Sequence, residues 1–338
     1  MNLFRVIALL IFGLGITSPS AEETARASAF TEAAKSRIEE KPSVKGDAEG
    51  WLFLVRELRH LSTGRFWEKP WEEVAANATD PVPSMVEFKH LLEERGIKLV
   101  LVPVPAKARV YPEKLDQNFA PGDAGEITPF LELLRSQGLT VIDLEDHFRG
   151  RREAGDLTQW YCAQDAHFSP AAIVALAELV GAELGVKSSE SRAMTLSEKE
   201  ISITGDQVAG SEWEGKLPGE NLTLRSVTSQ GNRGVESNPE SPFLLMGDSH
   251  TLVFHQGKEN GMHCRGAGLL DHLSYRFGEA FDLVGVRGSG LVQVRKQLYY
   301  RATAEPGFWD RKKLVVWVFS EREFTQSTDR IMSIPLDR

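Results

Sequence analysis

Only two of the 338 residues are cysteine, and beyond residue 16 no apolar run is long enough to cross a bilayer. So little cysteine excludes a disulfide-built scaffold and a cysteine-rich metal centre. An excess of positive charge is also missing: the formal charge of −9 argues against a general nucleic-acid binder, which needs a basic face. No repeat or low-complexity tract stands out. The glycine-rich stretch Gly285-Val286-Arg287-Gly288-Ser289-Gly290 lacks the spacing of a dinucleotide fingerprint, so no nucleotide cofactor is implied.

What is present begins with an export address. Met1 to Arg5 make a short positive start, Val6 to Ile16 are apolar, and Ser18-Pro19-Ser20 are fit for cleavage. Residues 1–20 therefore read as a secretory signal, with an uncleaved membrane anchor as the alternative, and the remainder as periplasmic or secreted. Cys162 and Cys264 are an even number in an oxidising compartment. A bridge between them and two buried free thiols are both compatible with their positions.

After a polar lead-in over residues 21–45, apolar strand patterns alternate with helical ones across residues 46–330. Strands are expected at Gly50–Leu54, Ile97–Val104, Leu139–Leu144, Phe243–Met246 and Leu314–Phe319. Helices are expected over Val86–Arg95, with Val86, Leu91 and Leu92 facing the core, and over Glu126–Gln137. A third runs from the Ser169 cap and Pro170 to about Leu184. This order predicts an α/β fold with a mostly parallel sheet between helical layers. Residues 195–241 break the rhythm and read as a small β-rich insertion covering one end of the sheet.

Three separated segments carry chemistry. Asp165-Ala166-His167 places a carboxylate and an imidazole two residues apart, on one side of an extended loop. Ser249 follows Gly247-Asp248 at the end of an apolar strand, and a helix from about His250 would aim its positive end at an oxyanion. The Gly285–Gly290 turn offers further oxyanion donors through Gly288 and Arg287, or is an ordinary loop. Serine, histidine and aspartate together are the equipment of nucleophilic acyl transfer. His250 reads as a pocket wall. His250, His255, His263 and His272 lack the spacing of a metal-ligand set, so no metal is expected. Trp160 and Tyr161, just before the Asp-His pair, are candidates for stacking on sugar rings, with burial in the core as the alternative.

The ordered set of motifs resembles the SGNH hydrolase-like domain of the alginate O-acetyltransferase family of AlgJ and AlgX. Gly50-Trp51-Leu52-Phe53 resembles its opening motif, Val102-Pro103-Val104-Pro105-Ala106-Lys107 its first strand and loop, and Val315 to Arg322 its last strand. The likeness spans roughly residues 46–325 and is closer to AlgJ, since no carbohydrate-binding module follows. It implies Ser249 as nucleophile, His167 as base and Asp165 as its orienting partner. It also implies an exported polysaccharide as acceptor and a membrane-bound acyltransferase of the MBOAT type as acetyl supplier, so membrane association would come through that partner or an uncleaved N-terminus. A carbohydrate acetylesterase and a non-catalytic polysaccharide-binding subunit are the competing readings. The acidic net charge suits a strongly anionic acceptor only if Arg149, Arg151, Arg152 and Arg287 form a basic groove.

Overall fold

The computed structural model describes residues 20–74, 79–186, 194–229, 234–288, 290–327, 334 and 336. The expected signal segment lies outside them apart from Ser20, as does Ser289 of the glycine turn. Among the described residues no helix is long and apolar enough to cross a membrane.

Among the described residues there are nine strands, in chain order β1 (Ser43–Lys45), β2 (Leu52–Leu54), β3 (Lys98–Val104), β4 (Thr140–Val141), β5 (Thr195–Ile203), β6 (Glu220–Thr228), β7 (Phe243–Gly247), β8 (Asp282–Gly285) and β9 (Leu314–Ser320). Five of them form one sheet in the order β4-β3-β9-β7-β8, every neighbouring pair parallel. A parallel strand covered on both faces must be apolar throughout, and β9, Leu-Val-Val-Trp-Val-Phe-Ser, is buried at every position.

The two-residue period of a strand divides the core in two. Val100, Val102, Val316 and Val318 face one cluster, which the helices Leu144–Glu153, Pro170–Glu183 and Leu269–Phe277 fill with Phe148, Ile173, Leu176 and Leu270. Leu99, Leu101, Val315 and Trp317 face the other, with Phe88, Leu92, Phe130 and Leu298 from the helices Val82–Glu93, Thr128–Ser136 and Leu291–Ala304. The result is the expected three-layer α/β arrangement. Each fully buried aliphatic side chain contributes roughly 1.5–3 kcal/mol relative to exposure.

Several local expectations shift. The lead-in is the helix Ala21–Ser36, opened by a capping box at Ser20 and Glu23, and it buries Phe30 and Ala34 against the domain. In the helix Val82–Glu93, Met85 and Phe88 join Leu92 in the core, while Val86 and Leu91 are only half-buried. The strand expected at Leu139–Leu144 shortens to two residues, because Asp143 turns the chain and caps the next helix through Asp146 N–H. The insertion is the antiparallel hairpin β5–β6, and its connecting residues 204–219 reach the site described next.

Candidate active site

β7 delivers Ser249 to the carboxyl edge of the sheet, where open α/β folds place their ligands. Gly247 makes this possible: a Cβ there would lie 2.1 Å from the Val318 carbonyl oxygen on β9. Asp248 then ties the turn down. Its Oδ1 accepts the N–H of His250 at 2.9 Å, and its Oδ2 accepts the N–H of Ser320 at 3.0 Å, where β9 ends. The helix expected from about His250 does not form. A single 3-10 turn, Ser249–Thr251, stands there, too short to add up a macrodipole.

The Asp-His loop meets this turn. Ser249 Oγ lies 2.7 Å from His167 Nε2, and His167 Nδ1 lies 2.6 Å from Asp165 Oδ1. Ser249 is half-buried, whereas His167 and Asp165 are buried. Burial opposes the charged imidazole, yet the charge of Asp165 and its hydrogen bond hold the His167 pKa above its ordinary value. Burial likewise opposes ionisation of Asp165, but His167 and His263 hold its pKa well below the usual carboxylate range.

Four donors converge on Asp165. Oδ1 accepts the His167 N–H at 3.0 Å as well as the imidazole, and Oδ2 accepts the Asp206 N–H at 2.8 Å and His263 Nε2 at 2.9 Å. Asp206 comes from the β5–β6 connection, and its Oδ1 accepts the Ala166 N–H at 2.8 Å. Gly205 permits that approach, since a Cβ there would lie 2.0 Å from the Gln164 carbonyl oxygen. Beneath the loop the buried Lys107 donates from Nζ to the carbonyls of Leu52 and Ala163, at 2.7 and 3.2 Å, and to Gln207 Oε1 at 3.0 Å. Asp165, His167 and Asp206 are close enough to share a cation. Both oxygens of Asp165 and Nδ1 of His167 are spent on each other and on backbone donors, which makes them a poor ligand set.

His250 lies beside the Asp-His pair. Its ring centre is 5.0 Å from that of His167, and Nδ1 bonds Asp248 Oδ1 at 2.9 Å. Burial lowers its pKa despite the charge of Asp248. The four histidines do not converge: His250, His255, His263 and His272 bond Asp248, Asp271, Asp165 and the Arg225 carbonyl respectively.

Other candidates are displaced from the chemistry. Trp160 and Tyr161 belong to the core, the first stacked on Phe148 and the second donating its hydroxyl to the Pro105 carbonyl, so neither presents a face to sugar. Cys162 and Cys264 are free thiols, lying against the carbonyls of Phe168 and Phe254 respectively, and no bridge forms. Arg287 is exposed and donates to the Asn260 carbonyl at 2.7 Å, while Gly288 is exposed with a φ of +61°. The Val286 N–H is taken by the Gly247 carbonyl. Nor do the arginines form a free basic groove: Arg149 faces Glu145 and Asp146, Arg151 pairs with Asp156, and Arg152 with Glu113.

Comparison with known proteins places this chain in a family. Two proteins described as probable alginate O-acetylase AlgJ align with it. The one from Pseudomonas aeruginosa is 32% identical over 148 residues, 43% of this chain and 34% of the relative. The one from Pseudomonas syringae pv. tomato is 26% identical over 151 residues, 44% of this chain and 35% of the relative. The alignments thus span about a third of the length of these relatives. Among solved structures, the O-acetyltransferase domain of Pseudomonas putida AlgJ superposes with a TM-score of 0.60 at 19% identity, covering 85% of this chain and 93% of that one. Pseudomonas aeruginosa AlgX gives 0.53 at 18% identity, covering 85% and 65%. At such identities these two likenesses establish a common fold. The family model described as SGNH hydrolase-like domain, acetyltransferase AlgX matches residues 44–261, well over half of the sequence, and the chain therefore belongs to that family.

Proposed function

We propose that this protein is an exported O-acetyltransferase that moves an acetyl group through a serine ester onto hydroxyls of a polysaccharide. The observation that carries the reading is the hydrogen-bonded line from Ser249 Oγ through His167 to Asp165, at 2.7 and 2.6 Å. In the first half-reaction Ser249 Oγ attacks the acetyl carbonyl carbon of the donor and passes its proton to His167 Nε2. The tetrahedral intermediate collapses, the donor oxygen leaves with the proton from His167, and acetyl-Ser249 remains. In the second, a sugar hydroxyl attacks that ester, its proton goes to His167 and then to Ser249 Oγ as the serine leaves. We assign the oxyanion to the Ser249 N–H, which opens its 3-10 turn without an intrahelical partner. We give Val286 N–H and Arg287 no part in holding the oxyanion, because both are engaged elsewhere.

The AlgJ relatives support a polysaccharide acceptor, and the N-terminal signal pattern supports action outside the cytoplasm, supplied with acetyl by an MBOAT-type membrane partner. Arg149, Arg151 and Arg152 are compensated by acidic neighbours, so these three do not form the basic groove that a polyanionic acceptor would call for. Incubation with a chromogenic acetyl ester is expected to add one acetyl group to the peptide containing Ser249, detected by mass spectrometry. Adding oligosaccharide should then yield acetylated sugar. Release of free acetate alone across a wide acceptor panel would make the protein an esterase.

The pH dependence follows from His167, which must be neutral to take a proton. Because its pKa is raised, kcat/KM for the acetyl ester falls as pH drops, with the inflection above the imidazole value of about 6.5. The stability contribution has the opposite sense. It is complete below the unfolded imidazole pKa and is lost as pH rises through the folded one. Activity and thermal midpoint, measured over that window, should move in opposite directions.

A further inference from the structure

Asp165 carries a histidine on each side. Its acceptor-only carboxylate can bond His263 Nε2, at 2.9 Å, only if that nitrogen bears the proton. Among the described residues, His167 and His263 are the two side chains that hydrogen-bond Asp165, the first from 2 positions away in sequence and the second from 98. The backbone is strained to bring the second one in. Phe254 and His263 have φ of 57° and 62°, and no other described non-glycine residue has a positive φ. Each costs on the order of 1 kcal/mol or more, and such outliers collect where function demands a geometry. Both lie on one loop, held by Phe254 N–H on the Met262 carbonyl and Ala267 N–H on the Phe254 carbonyl. The Phe254 ring, 5.2 Å from the His263 ring, packs the imidazole in place.

We propose that His263 is a positioning residue for the Ser249–His167–Asp165 line, holding the outer oxygen of Asp165 so that the inner one faces His167. Its N–H also draws off part of the carboxylate charge, which limits how strongly Asp165 favours the protonated form of His167. The other charged or titratable groups around this pair are Asp206 and Asp248 toward His167, His250 against its ring, and Lys107 and Cys162 toward Asp165. Of these, Asp206 touches Asp165 only through its backbone N–H. Removing the His263 donor therefore leaves Oδ2 with one hydrogen bond and the charge of Asp165 less compensated. His167 then holds its proton to higher pH.

The kinetic arm of the test rests on the acyl-transfer reading, whereas the spectroscopic arm does not. In His263→Asn the short side chain tolerates positive φ but falls short of Asp165, while His263→Gln keeps an N–H donor near the Nε2 position. NMR titration of His167, in the native protein and in a Ser249→Ala background, is expected to show its midpoint raised by about 0.5–1 unit in His263→Asn. It should return toward the native value in His263→Gln, and the acid limb of kcat/KM should shift with it. An unchanged His167 midpoint in folded His263→Asn overturns the proposal. So does a shift that His263→Gln fails to reverse. In the unsubstituted protein, nitrogen chemical shifts showing Nε2 of His263 without a proton would overturn it independently of any variant. Absence of acetyl-ester turnover in the unsubstituted protein, with the NMR pattern as expected, would count against the acyl-transfer reading alone.

Discussion

Ser249→Ala leaves a folded protein whose acetyl-ester turnover falls by on the order of 10⁴-fold or more, as expected for a nucleophile that acts as a unit with its base. The Ser249 hydroxyl is half-buried and bonds only His167 among the described residues, so the unfolding midpoint should change little. That separation is the strength of the test, since a folding defect cannot imitate it. Combining Ser249→Ala with His167→Ala should cost no further turnover than Ser249→Ala alone, because a base with no nucleophile has no proton to take. His167→Ala by itself is a poorer probe. It strips the buried Asp165 of its imidazole donor and so lowers stability as well as rate. Turnover that survives in Ser249→Ala would reject Ser249 as the nucleophile, whereas polymer acetylation in cells left unchanged by Ser249→Ala would favour the non-catalytic polysaccharide-binding reading.

The parts of this site that could be read from the amino-acid order were those carried by local chemistry. Gly247-Asp248-Ser249 ended an apolar strand, Asp165 and His167 were two apart, and the alternation of β3, β7 and β9 exposed the layered core. Contacts made over long sequence distances could not be read in this way. Nothing in the spacing of His263 ties it to Asp165, and as one of four scattered histidines it invited only a metal question. Asp206 was hidden for a different reason. It sits in a polar connection whose composition resembles any surface loop, and its backbone N–H rather than its side chain touches Asp165. Trp160 and Tyr161 left two readings open because an aromatic pair beside the Asp-His loop looks the same in sequence whether it faces sugar or, as here, the helix Leu144–Glu153. The missing helix after Ser249 has a local cause, with Asp248 capping one turn before the chain bends back toward His263.

The largest loss of stability is expected from Glu321→Ala, in a polar cluster that supports the site from behind. Glu321 is fully buried just past β9. Oε1 accepts the Ala106 N–H at 2.9 Å and Arg109 Nε at 3.0 Å, and His60 Nε2 lies 3.5 Å away. Burial opposes its ionisation, but Arg109 and His60 bring its pKa down to about 2. Alanine would leave the Arg109 guanidinium buried without its counter-charge, and breaking such a pair costs about 3–5 kcal/mol. Glu321→Gln keeps the shape and one acceptor, so its loss should be smaller. The sign with pH is fixed by the lowered pKa: the stabilisation is present above the unfolded carboxyl value of about 4.5 and is lost as pH falls through the folded one. Chemical denaturation at neutral pH should therefore show the full difference between native protein and Glu321→Ala, and the two curves should converge on acidification. Activity is expected to depend on the same region, because Ser320, one residue earlier, holds Asp248 through its N–H and so ties down the turn that carries Ser249. A Glu321→Ala variant that loses turnover well below its unfolding temperature would show that this cluster sets the position of the nucleophile as well as the stability of the sheet.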